Sequence, residues 1–189
     1  VRLLERGVDA VFCPCLTQNF DEGDADNHFN CPVVAYYPEL LRGNMPELTD
    51  ENFLYPHLNI CDEKGLAAEL GKALSKRFGR ISAREMRAAV KKGMADYQAY
   101  MAGVQQKGEE ALLWARAHKK RIMVLAGRPY HIDAEIGHGI DQLATSLGFA
   151  VVSEDSVYHL AGTPKVHVLN QWTYHARLYR AAAFVATQP

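Results

Sequence analysis

The sequence lacks an excess of charge of either sign, because 21 basic side chains are matched by 22 acidic ones and the formal net charge is −1. Without a net positive field, the chain is not expected to hold polyanions by charge alone, so nucleic-acid binding is disfavoured. The sequence also lacks any apolar run near the roughly 18 to 20 residues that cross a bilayer. We therefore expect no membrane segment, and the 48% of hydrophobic residues indicate a soluble globular chain.

Motifs of several enzyme classes are also missing. No H-E-x-x-H or comparable histidine spacing occurs, which argues against an autonomous zinc hydrolase. Neither a G-x-G-x-x-G loop nor a Walker loop occurs, so no nucleotide site is predicted. The chain opens without a methionine or a signal-peptide pattern, as if the end of a helix ran into a strand. This opening of the chain predicts that it is a piece of a longer protein.

Cysteine is absent from residue 62 onward, and the first 61 residues hold four: Cys13, Cys15, Cys31 and Cys61. This crowding predicts a thiolate site, because a metal or iron-sulfur centre needs several sulfurs that converge on one point. Their spacing matches neither the paired C-x-x-C of structural zinc sites nor the compact ferredoxin run, so small buried apolar thiols remain the alternative. The unpaired spacing and the missing secretory signal favour a reducing cytosol, and hence a cytoplasmic location.

The segments around these cysteines predict short strands. Residues 8–12 form an apolar run that ends just before Cys13 and Cys15, and residues 32–36 form another apolar run. Both are predicted to be buried strands, the second followed by a short helix with Pro38 in its first turn. Residues 53–60 are a third candidate strand, broken by a proline.

The acidic stretch 21–28 has no periodicity and is rich in turn residues. It is predicted to be an exposed loop, with a carboxylate-lined metal site as the alternative.

Helical patterns dominate the middle of the chain. Asp62 is a candidate cap for a helix that ends at Gly79, and Ser82 with Glu85 forms a capping-box pattern at the start of a longer one. The longer helix extends toward Lys120, and its methionines and tyrosines are expected to pack in a core rather than bind a cofactor.

A strand-loop-helix-strand pattern follows, in which residues 121–126 and 149–152 are the strands and residues 127–133 the loop. Ligands of parallel sheets gather outside the carboxyl ends of strands, so this loop is a candidate site. Arg128, Tyr130 and His131 are the candidate catalytic residues, and Arg128 with His138 the candidate cofactor-binding residues. The alternative is that Arg128 and His131 only brace the loop. A last helix is predicted over residues 170–186.

These elements predict an α/β fold with parallel-sheet, flavodoxin- or Rossmann-like layers. The predicted parts are a cysteine-containing lobe at residues 1–79, a helical connector at 80–120 and a second α/β lobe at 121–189. Whether the strands form one sheet or two is left open.

Two motifs carry a resemblance to a known family. Asn30-Cys31-Pro32-Val33-Val34 with Tyr37-Pro38-Glu39 is the first, and Gly127-Arg128-Pro129-Tyr130-His131 with His138-Gly139-Ile140-Asp141 is the second. In both, and over nearly its whole length, the chain resembles the CoA-substrate-specific enzyme activase-related family. Long members of that family combine activator-type ATPase domains with segments similar to subunits of 2-hydroxyacyl-CoA dehydratases. The resemblance implies a section outside the ATPase domain.

For the cysteines, the resemblance implies a 4Fe-4S cluster that accepts an electron from an ATP-dependent activator. It implies Cys31 as the best ligand, Cys15 as the next, Cys13 as an alternate and Cys61 as a weaker candidate. It also implies a further Cys-Pro element upstream of Val1, so the isolated piece is expected to be obtained without iron.

The implied partners are the activator, or other domains of the same chain, and a CoA-thioester substrate. No activity is expected from this section alone. A non-catalytic acyl-CoA-binding or docking module with inert cysteines is the alternative function.

Overall fold

The computed structural model describes residues 1–188, which fall into two compact units. The first unit comprises Val1–Gly23 and Asn27–Ala95. The second comprises Asp24–Asp26 and the chain from Asp96 onward.

The first unit contains short parallel strand pairs and four helical segments. Its elements, in chain order, are α1 (Arg2–Glu5), β1 (Val11–Phe12), β2 (Cys15–Gln18), α2 (Pro32–Asn44), β3 (Phe53–Leu54), β4 (His57–Asn59), α3 (Glu63–Phe78) and the first part of α4 (Ala83–Ala117). Strand β1 pairs in parallel with β3, and β2 pairs in parallel with β4. The strand predicted over residues 53–60 is confirmed, including its break, because Pro56 separates β3 from β4.

The predicted strand at residues 32–36 is wrong, because these residues open helix α2. Pro32 occupies the first turn, where a missing backbone N–H leaves no hydrogen bond unmade, and Cys31 is the N-cap. The predicted place of Pro38 is also wrong, since it lies inside this helix. The buried residues of α2 are Ala35 and Pro38, whereas Val33 and Val34 are exposed. An apolar run therefore did not mean a buried strand here.

The core of the first unit lies between strand β4 and helices α3 and α4. Leu58, Leu66, Ala67, Met86 and Val90 are buried together. The predicted start of α3 is confirmed, because the Asp62 carboxylate accepts hydrogen bonds from the N–H groups of Lys64 and Gly65.

The ends of α3 and α4 also follow local sequence signals. Gly79 ends α3 at a φ of +86°, a conformation that glycine adopts without strain. At the start of α4, the Ser82 hydroxyl accepts a hydrogen bond from the N–H of Glu85 at 3.1 Å. The long helix is confirmed, and its 35 residues extend from the first unit into the second.

The second unit contains the predicted strand-loop-helix-strand segment. Its further elements are β5 (Ile122–Leu125), a 3-10 turn (Pro129–Ile132), α5 (Ile140–Ser146), β6 (Ala150–Ser153), two more 3-10 turns (Glu154–Ser156 and Tyr158–Leu160) and α6 (Thr173–Ala186). Strands β5 and β6 pair in parallel from Ile122 opposite Ala150 to Leu125 opposite Ser153. Parallel strands joined through a helix confirm the α/β class. The described strands form three separate two-stranded pairs.

Helix α5 is shorter than the helix that the spacing of Ile136, Ile140, Leu143 and Leu147 predicts. Ile136 lies before the helix and Leu147 after it, and both are exposed, as are Ile140 and Leu143. The core of the second unit instead joins α4, β6 and α6 through Leu112, Val152, Val157, Tyr158, Ala181 and Phe184.

The acidic stretch 21–28 was predicted to be an exposed loop, and for part of it this is wrong. Asp24 keeps only 17% of its side chain exposed, because its carboxylate binds Arg180 and accepts a hydrogen bond from Thr163. Asp26 accepts a hydrogen bond from the N–H of Asn170 at 2.9 Å. These contacts make Asp24–Asp26 part of the second unit.

Among the described residues, no helix combines the length and the apolar character that crossing a membrane requires.

Candidate functional site

Cys13 and Cys15 lie in one extended segment that runs beside residues 53–59. The N–H of Cys13 donates to the carbonyl of Leu54 at 2.8 Å, and the N–H of Cys15 donates to the carbonyl of Pro56 at 2.9 Å. Cys13 follows β1, which is shorter than the strand predicted at residues 8–12 and is not buried. Contrary to the prediction, Cys15 does not share that strand end but begins the second strand. These backbone hydrogen bonds hold both thiols on a paired strand segment, which is a stiff support for a site.

Cys15 lies close to two side chains that are far away in sequence. Its sulfur, a carboxylate oxygen of Glu39 and a ring nitrogen of His57 all lie within 4.8 Å of one another. His57 is opposite Cys15 in the β2–β4 register, and Glu39 comes from α2. Nε2 of His57 is 2.8 Å from Oε1 of Glu39. Among the described residues this is the one group of three or more metal-ligating side chains at such short range.

The environment of these thiols favours their protonated form. Burial raises the pKa of Cys15 most, the negative charge of Glu39 and the neighbouring Cys13 raise it further, and a hydrogen bond from the Glu39 backbone lowers it. Burial also raises the pKa of Cys13. The thiolate is the form that binds metals, so a cation is needed to stabilise it at this position.

Cys31 and Cys61 lie near different points along β2. Asn30, next to Cys31, donates from its backbone to Thr17 and from its side chain to the carbonyl of Leu16, so Cys31 lies beside β2. Cys61 follows β4, and its thiol donates to the backbone carbonyl of Asn19, beyond the far end of β2. Asn19 is four residues after Cys15 along this extended segment, which corresponds to roughly 13 Å between their Cα atoms at about 3.3 Å per residue. Cys61 is therefore remote from Cys15.

The histidine loop (residues 127–141) follows β5 in the second unit. Nδ1 of His131 accepts a hydrogen bond from the backbone N–H of Arg128 at 2.8 Å, so one ring nitrogen braces the loop. A side chain at Gly127 would meet that same nitrogen at 2.6 Å, which explains why glycine stands there. The Tyr130 ring lies 4.4 Å from the His131 ring and is half exposed.

A pocket of about 350 Å³ opens at the carboxyl end of β5. Its lining includes Ala126, Gly127, His131, His138 and Asp141. Its place at the end of a parallel strand is where ligands of such folds bind. His131 and His138, which the sequence placed in different roles, thus share one pocket.

Arg128 is not among the residues that line this pocket. Its guanidinium lies over the Tyr174 ring, with 5.4 Å between Cζ and the ring centroid. The pKa of His175, which lies on the same helix as Tyr174, is lowered mainly by burial and secondly by the positive charge of Arg128. The sequence pattern contained no signal for this contact between the loop and α6.

We predict that Arg128→Leu raises the pKa of His175 toward its ordinary value of about 6.5, because one of the two causes of its depression is removed. His175 should gain its proton at a higher pH in the variant, as followed by long-range ¹H-¹⁵N NMR of the imidazole. Lys165→Leu is the control, and it should leave this titration unchanged. An unchanged midpoint in Arg128→Leu would show that the two groups do not interact.

Glu39 and His57 are the site residues that sequence analysis missed. Glu39 stood in a motif noted for its resemblance, but nothing in the pattern linked it to Cys15. His57 lay in a broken strand, and only the pairing of β2 with β4 brings it to Cys15. A search for Cys, His and Glu at matching positions of predicted neighbouring strands is the signal that would have found it.

The sequence matches a known protein family over most of its length. A family model described as CoA enzyme activase uncharacterised domain matches residues 1–157. The match includes all four cysteines and the histidine loop. No curated protein and no solved structure matches the chain. The matched range covers most of the 189 residues. The resemblance inferred from the motifs is thereby confirmed, and the chain belongs to the family of CoA enzyme activase uncharacterised domains.

Proposed function

We propose that this chain is the electron-accepting, iron-sulfur portion of an ATP-driven system related to 2-hydroxyacyl-CoA dehydratases. An ATP-dependent activator, or another domain of the same chain, is the electron donor in this proposal, and a CoA thioester is the substrate. The proposal assigns the protein to the cytoplasm, where thiols stay reduced. Its main support is the pair of neighbouring thiols, Cys13 and Cys15, on one hydrogen-bonded strand segment.

The donor set of the first unit fits an iron-sulfur group in its chemistry. Soft thiolate ligands are the ones that such clusters take. Cys15 has no exposed surface, Cys13 is close enough to affect its pKa, and Cys31 lies on a segment bonded to β2. We assign these three as the ligands of a 4Fe-4S cluster and leave Cys61 outside it. The cluster, when bound, supplies one-electron transfer at low potential.

The surrounding residues have separate roles in this proposal. The strand pairing holds the backbone of Cys13 and Cys15 in place, and the hydrogen bond from the Glu39 backbone stabilises the Cys15 thiolate. The 350 Å³ pocket in the second unit takes part of the CoA thioester, with His131 and His138 as the polar groups that contact it. Tyr130 is not part of the pocket lining, and its ring lies beside that of His131. Arg128 orients the loop through its stacking on Tyr174.

The test is made on the full-length protein, produced and purified without oxygen. We predict that Cys15→Ala and Cys31→Ala each lose the iron and sulfide of one cluster. The visible absorbance of the cluster and its electron paramagnetic resonance signal after reduction should be lost as well. Cys61→Ala is the matched control and should keep all three, because its sulfur lies at the other end of the strand pair. Equal iron content in the wild type and in Cys15→Ala would refute the proposal.

The same pocket supports a second candidate, in which the chain is a non-catalytic acyl-CoA-binding or docking module. Calorimetric titration with CoA thioesters separates the two functions. Binding that persists in Cys15→Ala, in a protein that never forms a cluster, supports the module.

A further inference from the structure

The group formed by Cys15, Glu39 and His57 contains three different kinds of metal donor. One sulfur, one carboxylate oxygen and one imidazole nitrogen lie within 4.8 Å of one another. Around a zinc ion with bonds of 2.0 to 2.3 Å, tetrahedral ligand atoms lie roughly 3.5 Å apart. Side-chain movements of about 1 Å therefore suffice to close the three donors on one ion.

The backbone positions of the three residues are set independently of any ion. Cys15 and His57 are direct neighbours in the parallel β2–β4 register. Glu39 is held by helix α2, which packs against β2. A site built on a strand pair and a helix keeps its geometry better than one built on loops.

The exposure of the three side chains suits entry of an ion from solvent. Cys15 has no exposed surface, so its sulfur points only into the protein. The side chains of Glu39 and His57 are 48% and 46% exposed. A divalent cation between them would offset the repulsion between the Glu39 carboxylate and a Cys15 thiolate.

A cysteine nucleophile activated by a His–Glu pair is the other chemistry that these residues suggest. A nucleophile must be reached by its substrate, and Cys15 has no exposed surface. Metal binding does not need such access, because the ion is held from the side of Glu39 and His57.

We propose that Cys15, Glu39 and His57 bind a single divalent transition-metal ion of the zinc class. Three protein ligands leave one coordination position for water or an exogenous ligand, the arrangement of non-structural zinc sites. The mixed sulfur, nitrogen and oxygen donors exclude Mg²⁺ and Ca²⁺, which take oxygen ligands. Cys15 is shared with the proposed cluster, so the single ion and the cluster are alternative occupants.

The probe is Co²⁺, titrated into the metal-free protein under reducing conditions. The expected result is one bound Co²⁺ with a sulfur-to-cobalt charge-transfer band and visible bands of a four-coordinate ion. Cys15→Ser should lose the charge-transfer band. Glu39→Gln and His57→Gln should weaken Co²⁺ binding at least tenfold, the low end of effects seen even for residues that only support ligands.

The second unit offers a matched control. Nε2 of His159 lies 2.8 Å from Oε1 of Glu109, the same separation as in the His57–Glu39 pair, and no described cysteine joins them in a metal-ligating group. His159→Gln should therefore leave Co²⁺ binding unchanged. Circular dichroism and thermal melting of the metal-free variants show whether each one folds.

The single-ion site and the iron-sulfur cluster can be refuted separately. Wild-type protein without a sulfur-to-cobalt band, or His57→Gln and Glu39→Gln that bind Co²⁺ like the wild type, would overturn the single-ion site. Cys31→Ala should keep Co²⁺ binding while it loses the cluster, and His57→Gln should do the reverse. A result that refutes the cluster therefore does not refute the single-ion site, and a result that refutes the single-ion site does not refute the cluster.

Discussion

Replacing Asp24 by alanine should lower the free energy of unfolding of the second unit by about 2 kcal/mol, less than the roughly 3 to 5 kcal/mol that breaking a fully buried ion pair costs, because both side chains keep some exposure. Asp24 and Arg180 keep only 17% and 16% of their side chains exposed. Without the carboxylate, the Arg180 guanidinium loses its counter-charge in a poorly solvated place. Thr163 loses its acceptor at the same time.

The measurement is urea unfolding followed by tryptophan fluorescence. Both tryptophans, Trp114 and Trp172, belong to the second unit, so their emission reports on that unit alone. Asp141→Ala is the control, because Asp141 is exposed on the same unit and its loss should change stability by no more than about 0.5 kcal/mol. A double-mutant cycle with Arg180→Met then isolates the pair. Equal losses in Asp24→Ala and Asp141→Ala would contradict this account.

Gly108→Ala should destabilise the second unit by about 2 kcal/mol, although alanine is the better helix former. A Cβ at Gly108 would overlap the backbone carbonyl oxygen of Ser156 and lie 2.7 Å from its Cβ. Ser156 is buried and belongs to a 3-10 turn that follows β6. The helix or the turn must therefore move, and overpacking of this kind typically costs about 1 to 3 kcal/mol.

Gly103 provides the opposite case on the same helix. No atom lies within 4 Å of the position that a Cβ would take there. Gly103→Ala should stabilise the second unit by up to about 1 kcal/mol through helix propensity alone. Thermal melts of both variants test the difference in sign. Two changes of the same sign would show that close approach to Ser156 is not the reason for glycine at position 108.

Local sequence signals correctly predicted the ends of α3, the start of α4 and the strand-loop-helix-strand segment. The Asp62 cap, the positive φ of Gly79 and the hydrogen bond from Glu85 to Ser82 are contacts within a few residues. Strands β5 and β6 are short apolar runs joined through one helix, a connection that leads to parallel pairing. Neither kind of feature needs distant residues.

Apolar patterns gave a wrong prediction at two places, once without periodicity and once with helical spacing. Residues 32–36 have β-branched and aromatic side chains, but they form the start of a helix, where Pro32 is favourable in the first turn. In the segment around α5, the spaced isoleucines and leucines are exposed, so helical spacing alone did not identify a core face.

In the candidate sites, some residues were also indicated by the sequence, and others were brought in only by tertiary packing. Crowded cysteines and the loop motif directed attention to Cys15 and His131 from the sequence alone. Glu39 and His57 reach Cys15 only through the packing of α2 and the register of β4. The remoteness of Cys61 likewise depends on which end of the strand pair it follows.

From its sequence alone, this protein's family, its α/β class, both ends of α3 and the start of α4 could be determined, because motifs, periodicity and caps act over short stretches of chain. Tertiary structure alone decided that Asp24 binds Arg180 across 156 positions and that a carboxylate and an imidazole join Cys15. The physical reason is that ion pairing and metal coordination depend on distances in space, which strand register and helix packing set.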